Sequence, residues 1–443
     1  MLFKTKLLAG CVAGLLVSSV ALADSSVEFK GYARAGFSLN LSKFGKTTEG
    51  AGDYGTVRTA QGEQGLSTRH IRNLNYIQLW VTKNFENNSK FVISLDNETF
   101  QRVYENNAFL GSDINFRDAY FQTEITPELA IWAGQRQFIF DDIRVLDILN
   151  EYDAFGAGVV IAKNTNVFIS KANKSKVSPV SFGNDPRFEK NLQLVAHSKI
   201  DLGALTISPE FAVVRSGEIQ NENGDKALSG KTAFTGRVLV GFANSNMWNN
   251  VGLRFTQSPN YSCDYGVVDA ETNEVGYTCN DNKLTEIEFT ESGSFEFGSV
   301  GLLVGGYVKY QKFKDKEVFL NKKFEPKLKK SRVIASVDVQ PVFYATNNFH
   351  LALDINKTFK TLYADMPVDE NNDGEPDALN QDPSAGLFIT PIARYALAKN
   401  TIGQAQVYTS VTYGKLDRKQ SVWNGKKATD SLVTMQTGFE LAF

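Results

Sequence analysis

Residues 116–158 decide the fold and read FRDAYFQTEITPELAIWAGQRQFIFDDIRVLDILNEYDAFGAG. Within them, residues 118–124 alternate between polar and apolar side chains, the period of two that is typical of a β-strand. A short turn at residues 126–128 leads into a second strand, residues 129–136. We therefore predict two antiparallel strands joined by a tight turn.

Residues 137–157, which follow these strands, are expected to form a loop that is rich in apolar side chains. The apolar residues are Phe138, Ile139, Phe140, Ile143, Val145, Leu146 and Ile148. The charged residues among them are Asp141, Asp142, Arg144 and Asp147. A loop with this much apolar surface has to be buried somewhere. In a barrel it can be buried inside the wall, and we therefore predict a constriction loop that narrows the lumen.

The chain begins with the features of a secretory signal peptide. Two lysines precede an apolar run that ends in Ala-Leu-Ala, a cleavage site of small residues. A lipoprotein cleavage sequence also fits residues 8–11, but it lies too close to Lys6 to leave the apolar region that such processing needs. We predict export, with a signal peptide at residues 1–23 and one domain at residues 24–443.

Composition excludes some classes of protein and leaves others open. The formal net charge is −2 at pH 7 and no basic patch occurs, so no nucleic-acid partner is expected. Beyond the first 23 residues there is no run of about 18 apolar residues, so helical membrane spans are not expected either. The mean hydropathy of −0.24 fits both a soluble protein and a transmembrane barrel, since only alternate residues of a barrel strand face lipid.

The strand pattern favours the barrel. Residues 27–41 alternate over a length well beyond the usual strand of about 5–6 residues, with one face suited to lipid and the other to water. Short turns alternate with nine long loops near residues 42–68, 98–115, 137–157, 172–190, 216–231, 257–283, 312–330, 363–385 and 415–430. Nine long loops predict eighteen strands, and an alternating last strand that ends in Phe443 is typical of bacterial outer-membrane proteins. We predict an all-β, transmembrane antiparallel β-barrel in the bacterial outer membrane.

Two cysteines, Cys263 and Cys279, lie sixteen positions apart in a polar segment. In an exported protein this separation favours a disulfide, which stabilises a loop by about 3 kcal/mol in the chain-entropy model. Two free thiols are the alternative. Metal binding through this pair is not expected, because no histidine is nearby.

Residues 369–380 have the oxygen spacing of a calcium-binding loop, with Gly374 at the sixth position for the sharp turn. The predicted ligands are Asp369, Asn371, Asp373, Glu375 through its backbone carbonyl, Asp377 and Asn380. The site is expected to be weak, because its last position is not a bidentate Glu and no helices flank the loop. An acidic, solvated external loop is the alternative, and no cofactor is required.

Several motifs together resemble the maltoporin family of sugar-specific porins. They are Phe29-Lys30-Gly31-Tyr32-Ala33-Arg34, Phe116-Arg117, Ile131-Trp132-Ala133-Gly134 with Arg136, and Gly156-Ala157-Gly158. The resemblance covers most of the chain after residue 23 and implies an eighteen-stranded homotrimer in outer-membrane lipid with an infolded third loop. It also implies passive diffusion of sugars along a track of aromatic rings that ionic groups flank.

The resemblance assigns substrate-binding residues position by position. The aromatic ones are Tyr32, Tyr76, Phe109 and Phe234, and the ionic ones are Arg34, Arg69, Arg117, Asp142 and Asp147. Aromatic rings cover the apolar face of a pyranose, whereas charged groups make the stronger hydrogen bonds to its hydroxyls. Arg117 is out of phase with Asp118, so it reaches the lumen only from beyond a strand end or from a bulge.

This sequence also departs from the family at aromatic and basic positions. The replaced positions are Ala442, the stretch near Ile402, Leu149 or Asn150, and Phe140. Because half of the aromatic track is missing, a general diffusion porin without sugar selectivity is the main alternative.

Trp80 and Trp132 are interpreted as packing residues of the wall or lumen. A structural or adhesive barrel is a further alternative, and an enzyme is not expected because the three histidines are scattered.

Overall fold

The computed structural model describes residues 27–41, 76–85, 88–98, 115–143, 146, 148–172, 191–220, 226–268, 275–321, 323, 325–363, 385–396, 405–421 and 428–442. The predicted signal peptide, residues 1–23, lies outside this set. Across the described ranges, no helix is long and apolar enough to cross a membrane.

The secondary-structure elements of the described residues are β-strands. They are β1 (Val27–Asn40), β2 (Tyr76–Asn84), β3 (Ser89–Glu98), β4 (Asn115–Thr126), β5 (Leu129–Ile143), β6 (Ile148–Ile161), β7 (Thr165–Ala172), β8 (Leu192–Ser198), β9 (Ile200–Leu202), β10 (Leu205–Arg215), β11 (Ile219–Gln220), β12 (Lys226–Leu228), β13 (Thr232–Ala243), β14 (Met247–Val268), β15 (Val275–Phe297), β16 (Val300–Leu320), β17 (Pro326–Tyr344), β18 (Phe349–Lys360), β19 (Gly386–Ala396), β20 (Gln406–Ser421) and β21 (Ala428–Ala442).

These strands close into an antiparallel barrel. Each barrel strand pairs with the next along the chain, and β1 pairs with β21 to complete the ring. β8 and β9 are two segments of one barrel strand, because both pair with β10, whereas β11 and β12 form a separate small hairpin. The barrel therefore has eighteen strands, which confirms the predicted all-β architecture and strand number.

The barrel strands present an apolar face outward, and most of their buried polar and charged residues face inward. In β18, Phe349, Leu351 and Leu353 are exposed on the outside, whereas His350 and Asp354 are buried on the inside. The same alternation recurs around the ring, so that large apolar side chains form an outer band. A Lys or Arg on such a band costs about 2–4 kcal/mol at the middle of a bilayer, which is why charges concentrate on the inner face.

Two segments predicted as long loops are paired strands instead. β14 extends to Val268 and β15 begins at Val275, so most of residues 257–283 is paired. β16 likewise extends to Leu320 and β17 begins at Pro326, so most of residues 312–330 lies in these two strands, which pair again beyond a register shift. The loop predictions for these segments are wrong, because a hairpin that continues beyond the membrane meets water on both faces and has no apolar alternation to mark it.

The predicted constriction loop is also a hairpin. β5 continues to Ile143 and β6 begins at Ile148, with cross-strand pairs along the length of both strands. A register shift between Ile139 and Asp141 leaves Phe140 as an extra residue, which is a β-bulge. Residues 137–157 are therefore corrected from a loop to a hairpin, whose pairing satisfies backbone groups that a buried irregular loop would leave unpaired.

Candidate functional site

The hairpin of β5 and β6 leaves the barrel wall. β4 pairs with β5 only up to Gln135, and β7 pairs with β6 only from Ala154 onward. Beyond these points β5 and β6 stay paired with each other out to Ile143 and Ile148. Residues 136–153, which we call the inner hairpin, thus have no backbone pairing with either neighbouring wall strand.

Asp118 marks the point where the inner hairpin departs. Its Oδ1 accepts a hydrogen bond of 2.8 Å from the backbone N–H of Gln137, and its Oδ2 accepts one of 2.9 Å from Ser94 Oγ. The Trp80 side chain also hydrogen-bonds to this carboxylate. The N–H of Gln137 no longer faces a paired strand, so the carboxylate takes the place of a backbone acceptor.

The tip of the inner hairpin reaches the far wall. Leu146 is 2% exposed and belongs to an apolar cluster on the inner face of β16 to β20. The other members are Leu303, Tyr307, Ile334, Val342, Tyr344, Ala352, Ile392 and Tyr408. β5 also approaches β15. The hairpin therefore spans the lumen, and the inward fold predicted from its apolar content is confirmed.

Two phenylalanines hold the inner hairpin to the near wall. Phe138 stacks on Phe168 of β7, with ring centroids 4.4 Å apart and planes inclined by 7°. The ring of Phe140 lies 3.9 Å from the guanidinium carbon of Arg237 on β13 and 6.1 Å from the ring of His197 on β8. Phe138 and Phe140 are both buried, as expected for residues two apart on one face of a strand.

Two glycines of the family motifs allow this packing. Gly134 has a φ of 127°, and a Cβ there would lie 2.3 Å from the carbonyl oxygen of Ala119. A Cβ on Gly158 would lie 2.4 Å from Cβ of Phe168 and 2.9 Å from Nε1 of Trp132. Gly158 therefore makes room for the aromatic rings on which the inner hairpin rests.

Arg117 reaches the lumen through a β-bulge. Two consecutive residues of β3 pair with Asp118 and Phe116, so Arg117 is the extra residue of β4. Its side chain is 4% exposed and forms an ion pair with Asp96. The sequence predicted that Arg117 needs a bulge to reach the lumen, and this bulge is present. Arg117 and Asp118, which are adjacent in the sequence, therefore lie on the same face of β4.

Tyr32 and Arg34 lie on the inner face of β1. The Tyr32 hydroxyl donates a hydrogen bond to the carboxylate of Glu440 on β21. Arg34 is buried and stands opposite Glu440 in the register. Tyr32 is half-buried, so part of its ring faces the lumen.

Trp80 adds a second ring to this wall. It pairs with Lys30 across β1 and β2, and Tyr32 pairs with Gln78, so the two rings are diagonal neighbours on the inner face. Trp80 is also half-buried. Its interpretation as a packing residue of the wall or lumen stays a prediction, and its spacing of two from Gln78 gives it the parity of the inner face.

An ionic network on the inner face of β14, β15 and β16 was not predicted. Arg254 Nη2 lies 2.8 Å from Glu286 Oε1 and also pairs with Glu288. The Tyr307 hydroxyl donates to Glu288 Oε2 at 2.9 Å, and Lys309 Nζ lies 3.9 Å from the same oxygen. Glu286 and Glu288 are two apart and therefore share a face of β15, but only the register of β14 with β15 places Arg254 opposite them.

Phe234 does not face the lumen, and its predicted place in the aromatic track is wrong. On β13 the inward residues are Ala233, Thr235 and Arg237, all of them buried. Phe234 lies on the opposite face, where its ring is 5.9 Å from that of the exposed Phe255. The resemblance suggested the residue type, but the period of two places it toward lipid.

Other predicted site residues are described only in part or not at all. Tyr76 pairs with Arg34 and Asp142 with Leu149 through the backbone, but their side chains are not among those described. Phe109, Arg69, Asp147, Asp369, Asn371, Asp373, Glu375, Asp377 and Asn380 lie outside the described residues. Within the described part of the chain, no group of three or more His, Cys, Asp or Glu residues is suited to a metal ion.

Cys263 and Cys279 stand directly opposite each other in the register of β14 and β15. Both belong to the part of this hairpin that was predicted as a loop. Their side chains are not among those described, so the disulfide stays a prediction.

The sequence profile of the LamB porin family matches residues 27–371. The chain belongs to the LamB porin family. LamB porins are channel proteins rather than enzymes, and the closed barrel with its lipid-facing band agrees with this membership. The protein is thus an outer-membrane channel of a bacterium. No curated protein sequence matches it.

Solved structures with similar folds are distant in sequence. OccAB1 of Acinetobacter baumannii is 9% identical with a TM-score of 0.45, and the match covers 95% of this chain and 97% of that one. OmpT of Vibrio cholerae, expressed in the outer membrane, is 11% identical with a TM-score of 0.42, over 94% and 97% of the two chains. The barrel architecture of this protein follows from the pairing of its own strands.

Proposed function

We propose that this LamB porin is a channel for the passive diffusion of sugars or oligosaccharides along a lumen lined by aromatic and charged residues. The observation that carries the proposal is the wall formed by β1 to β4. There the half-buried rings of Tyr32 and Trp80 adjoin the buried charges of Arg34 and Arg117.

This combination suits a sugar for two reasons. An aromatic ring covers the apolar face of a pyranose, with a contact of about 0.5–1.5 kcal/mol. Charged groups exchange strong hydrogen bonds with the hydroxyls at the ring edge. The inner hairpin, whose tip packs on β16 to β20, narrows the lumen.

The alternative is a general diffusion porin, and a specific observation favours it. Tyr120, Trp132, Phe138 and Phe168 pack against one another and are buried, so their rings are not available to a solute. Arg136 also stacks over this group, 4.9 Å from the centre of the Tyr120 ring. With fewer rings open to the lumen, a sugar is bound more weakly. The charged residues would then select solutes only by size and charge.

Assembly and partners are further parts of the proposal. We infer a homotrimer surrounded by outer-membrane lipid from the family resemblance, with sugars as the small-molecule partners. Tyr76, Phe109, Arg69, Asp142 and Asp147 are proposed contributors to the sugar path on the same basis.

Planar-bilayer conductance titrated with maltodextrins tests the proposal. Tyr32→Ala, alone and combined with Trp80→Ala, is expected to weaken sugar block of the ion current by about 2–10-fold per ring, the equivalent of the stacking contact. Tyr32→Phe keeps the ring and loses the hydrogen bond to Glu440, so it is expected to retain the block. Tyr395→Ala is the matched control, because Tyr395 is 56% exposed on the outer face. Sugar block that is absent in the parent, or unchanged in the double variant, would establish the general porin instead.

A further inference from the structure

Two aspartates lie side by side on the inner face of the far wall. Asp338 of β17 pairs with Asn356 of β18, and Asp354 is the next inward residue along β18. Both aspartates are 0% exposed. Because Asp338 lies opposite Asn356 and Asp354 is two residues from Asn356 on the same face, the two aspartates are diagonal neighbours across the β17–β18 pair. The structure thus holds two carboxyl groups on one buried patch of the inner face.

The carboxyl group of Asp338 has no cationic partner among the described residues around it. Neither of its carboxylate oxygens receives a hydrogen bond of normal geometry. Asn356 lies opposite Asp338, but its amide nitrogen donates its hydrogen bonds elsewhere, to Ser336 Oγ at 3.1 Å and to the carbonyl oxygen of Val337 at 3.4 Å. A buried carboxylate without a partner costs several kcal/mol in general, so a positively charged ligand would stabilise this arrangement.

The surroundings of the two carboxylates are rich in oxygen. Gln340, the next inward residue of β17, is buried, and Thr390 pairs with Asp354 from β19 and is also buried. Carboxylate, amide and hydroxyl oxygens are the ligands that hard cations such as Ca²⁺ prefer. Sulfur and imidazole ligands, which softer metals select, are not part of this group.

We propose that Asp338 and Asp354 form a cation-binding site inside the channel, with Ca²⁺ as the ion that fits its oxygen ligands. The site lies beside the patch on which the inner hairpin rests, because Ala352 and Ile392 are the next inward neighbours of Asp354 and Thr390 and belong to the Leu146 cluster. A cation bound there therefore sits next to the narrowed part of the lumen. This inference does not depend on the sugar path, which lies on β1 to β4.

Single-channel recordings in potassium chloride, with calcium chloride added as the probe, test the site. Calcium at roughly millimolar concentration is expected to reduce the potassium current of the parent. Asp338→Asn and Asp354→Asn keep the side-chain volume and are expected to raise the calcium concentration needed for half of this effect by about tenfold each, because ligand charge sets the affinity. Asp338→Glu retains the charge and is expected to preserve the effect.

Two control variants distinguish this site from other acidic groups of the channel. Glu210→Gln removes a buried inward acid that already pairs with Arg237 at 2.6 Å, and it is expected to leave the calcium effect unchanged. Asp369→Ala with Asp373→Ala removes the predicted external site and is expected to do the same. Heat-dependent mobility on gels verifies that each barrel is folded. If folded Asp338→Asn and Asp354→Asn respond to calcium as the parent does, the pair holds a proton or water and the proposal fails, whatever the sugar titration gives.

Discussion

The carboxylate of Asp118 accepts the backbone N–H of Gln137 across 2.8 Å, at the point where β5 parts from β4. One side chain thus terminates the pairing of a wall strand and begins the inner hairpin. Ser94 and Trp80 hold the same carboxylate from β3 and β2, so the departure point is fixed by three strands of the wall.

Asp118→Ala is expected to loosen the base of the inner hairpin. The N–H of Gln137 would lose its acceptor, and a buried polar group without a partner costs about 1–3 kcal/mol. Single-channel conductance should rise and become noisier. Asp118→Asn keeps an acceptor oxygen and serves as the control, and equal conductance in both variants would contradict this role.

Phe140→Ala is expected to widen the channel. The substitution removes the ring that Arg237 covers at 3.9 Å, and with it a contact of about 0.5–2 kcal/mol between hairpin and wall. Ile139→Ala changes a neighbouring residue that is 53% exposed and should leave conductance near that of the parent. If the conductance rises in both variants, any truncation in the hairpin widens the channel and Phe140 is not a specific anchor.

Gly158→Ala is expected to destabilise the barrel by about 1–3 kcal/mol, the usual penalty for overpacking. The added Cβ would meet Cβ of Phe168 at 2.4 Å, and neither strand can move without breaking its pairs. Urea unfolding in lipid vesicles measures the effect. Gly236→Ala is the matched control on β13, because a Cβ there meets nothing within 4 Å. Equal urea midpoints for Gly158→Ala and Gly236→Ala would show that the added Cβ at residue 158 does not clash with Phe168.

Cys263 and Cys279 are expected to form a disulfide in the exported protein. Directly opposite residues of antiparallel strands have Cα atoms about 4.5–5.5 Å apart, within the range that a disulfide spans. Alkylation of the unfolded protein followed by mass spectrometry should label neither cysteine before reduction and both after it. Labelling of both without a reductant would establish the free thiols.

Calcium is expected to bind residues 369–380 at roughly millimolar concentration. Calorimetry on Asp369→Ala combined with Asp373→Ala should lose this heat of binding, because two of the carboxylate ligands are removed. Asp338→Asn is the control that should retain it. A binding isotherm in the double variant identical to that of the parent would leave the loop as a solvated acidic segment.

The period of two was sufficient to predict the barrel, since it reports which face of each strand meets lipid. It also predicted that Arg117 needed a bulge, and the pairing of β3 with β4 contains one. Phe234 was assigned by resemblance against its own parity, and the structure follows the parity. Local alternation therefore outweighed motif similarity at this position.

The parts that could not be predicted depend on contacts between distant segments. Nothing near residue 146 in the sequence indicates that Leu146 packs against β16 to β20. The pairing of Arg254 with Glu286 and Glu288 likewise arises only once β14 and β15 are in register. Hairpins that extend beyond lipid, as β16 and β17 do, carry no alternation and were taken for loops.

The continuity of β5 and β6 has a mechanical consequence. Both strands pass from the wall into the inner hairpin with their mutual pairing kept and with a single-residue bulge at Phe140 as the bend. A flap needs a flexible joint at its base, and here that place is taken by paired backbone and stacked rings. The inner hairpin is therefore held at both ends, by the wall at its base and by the Leu146 cluster at its tip, as a strut across the lumen rather than a hinged flap.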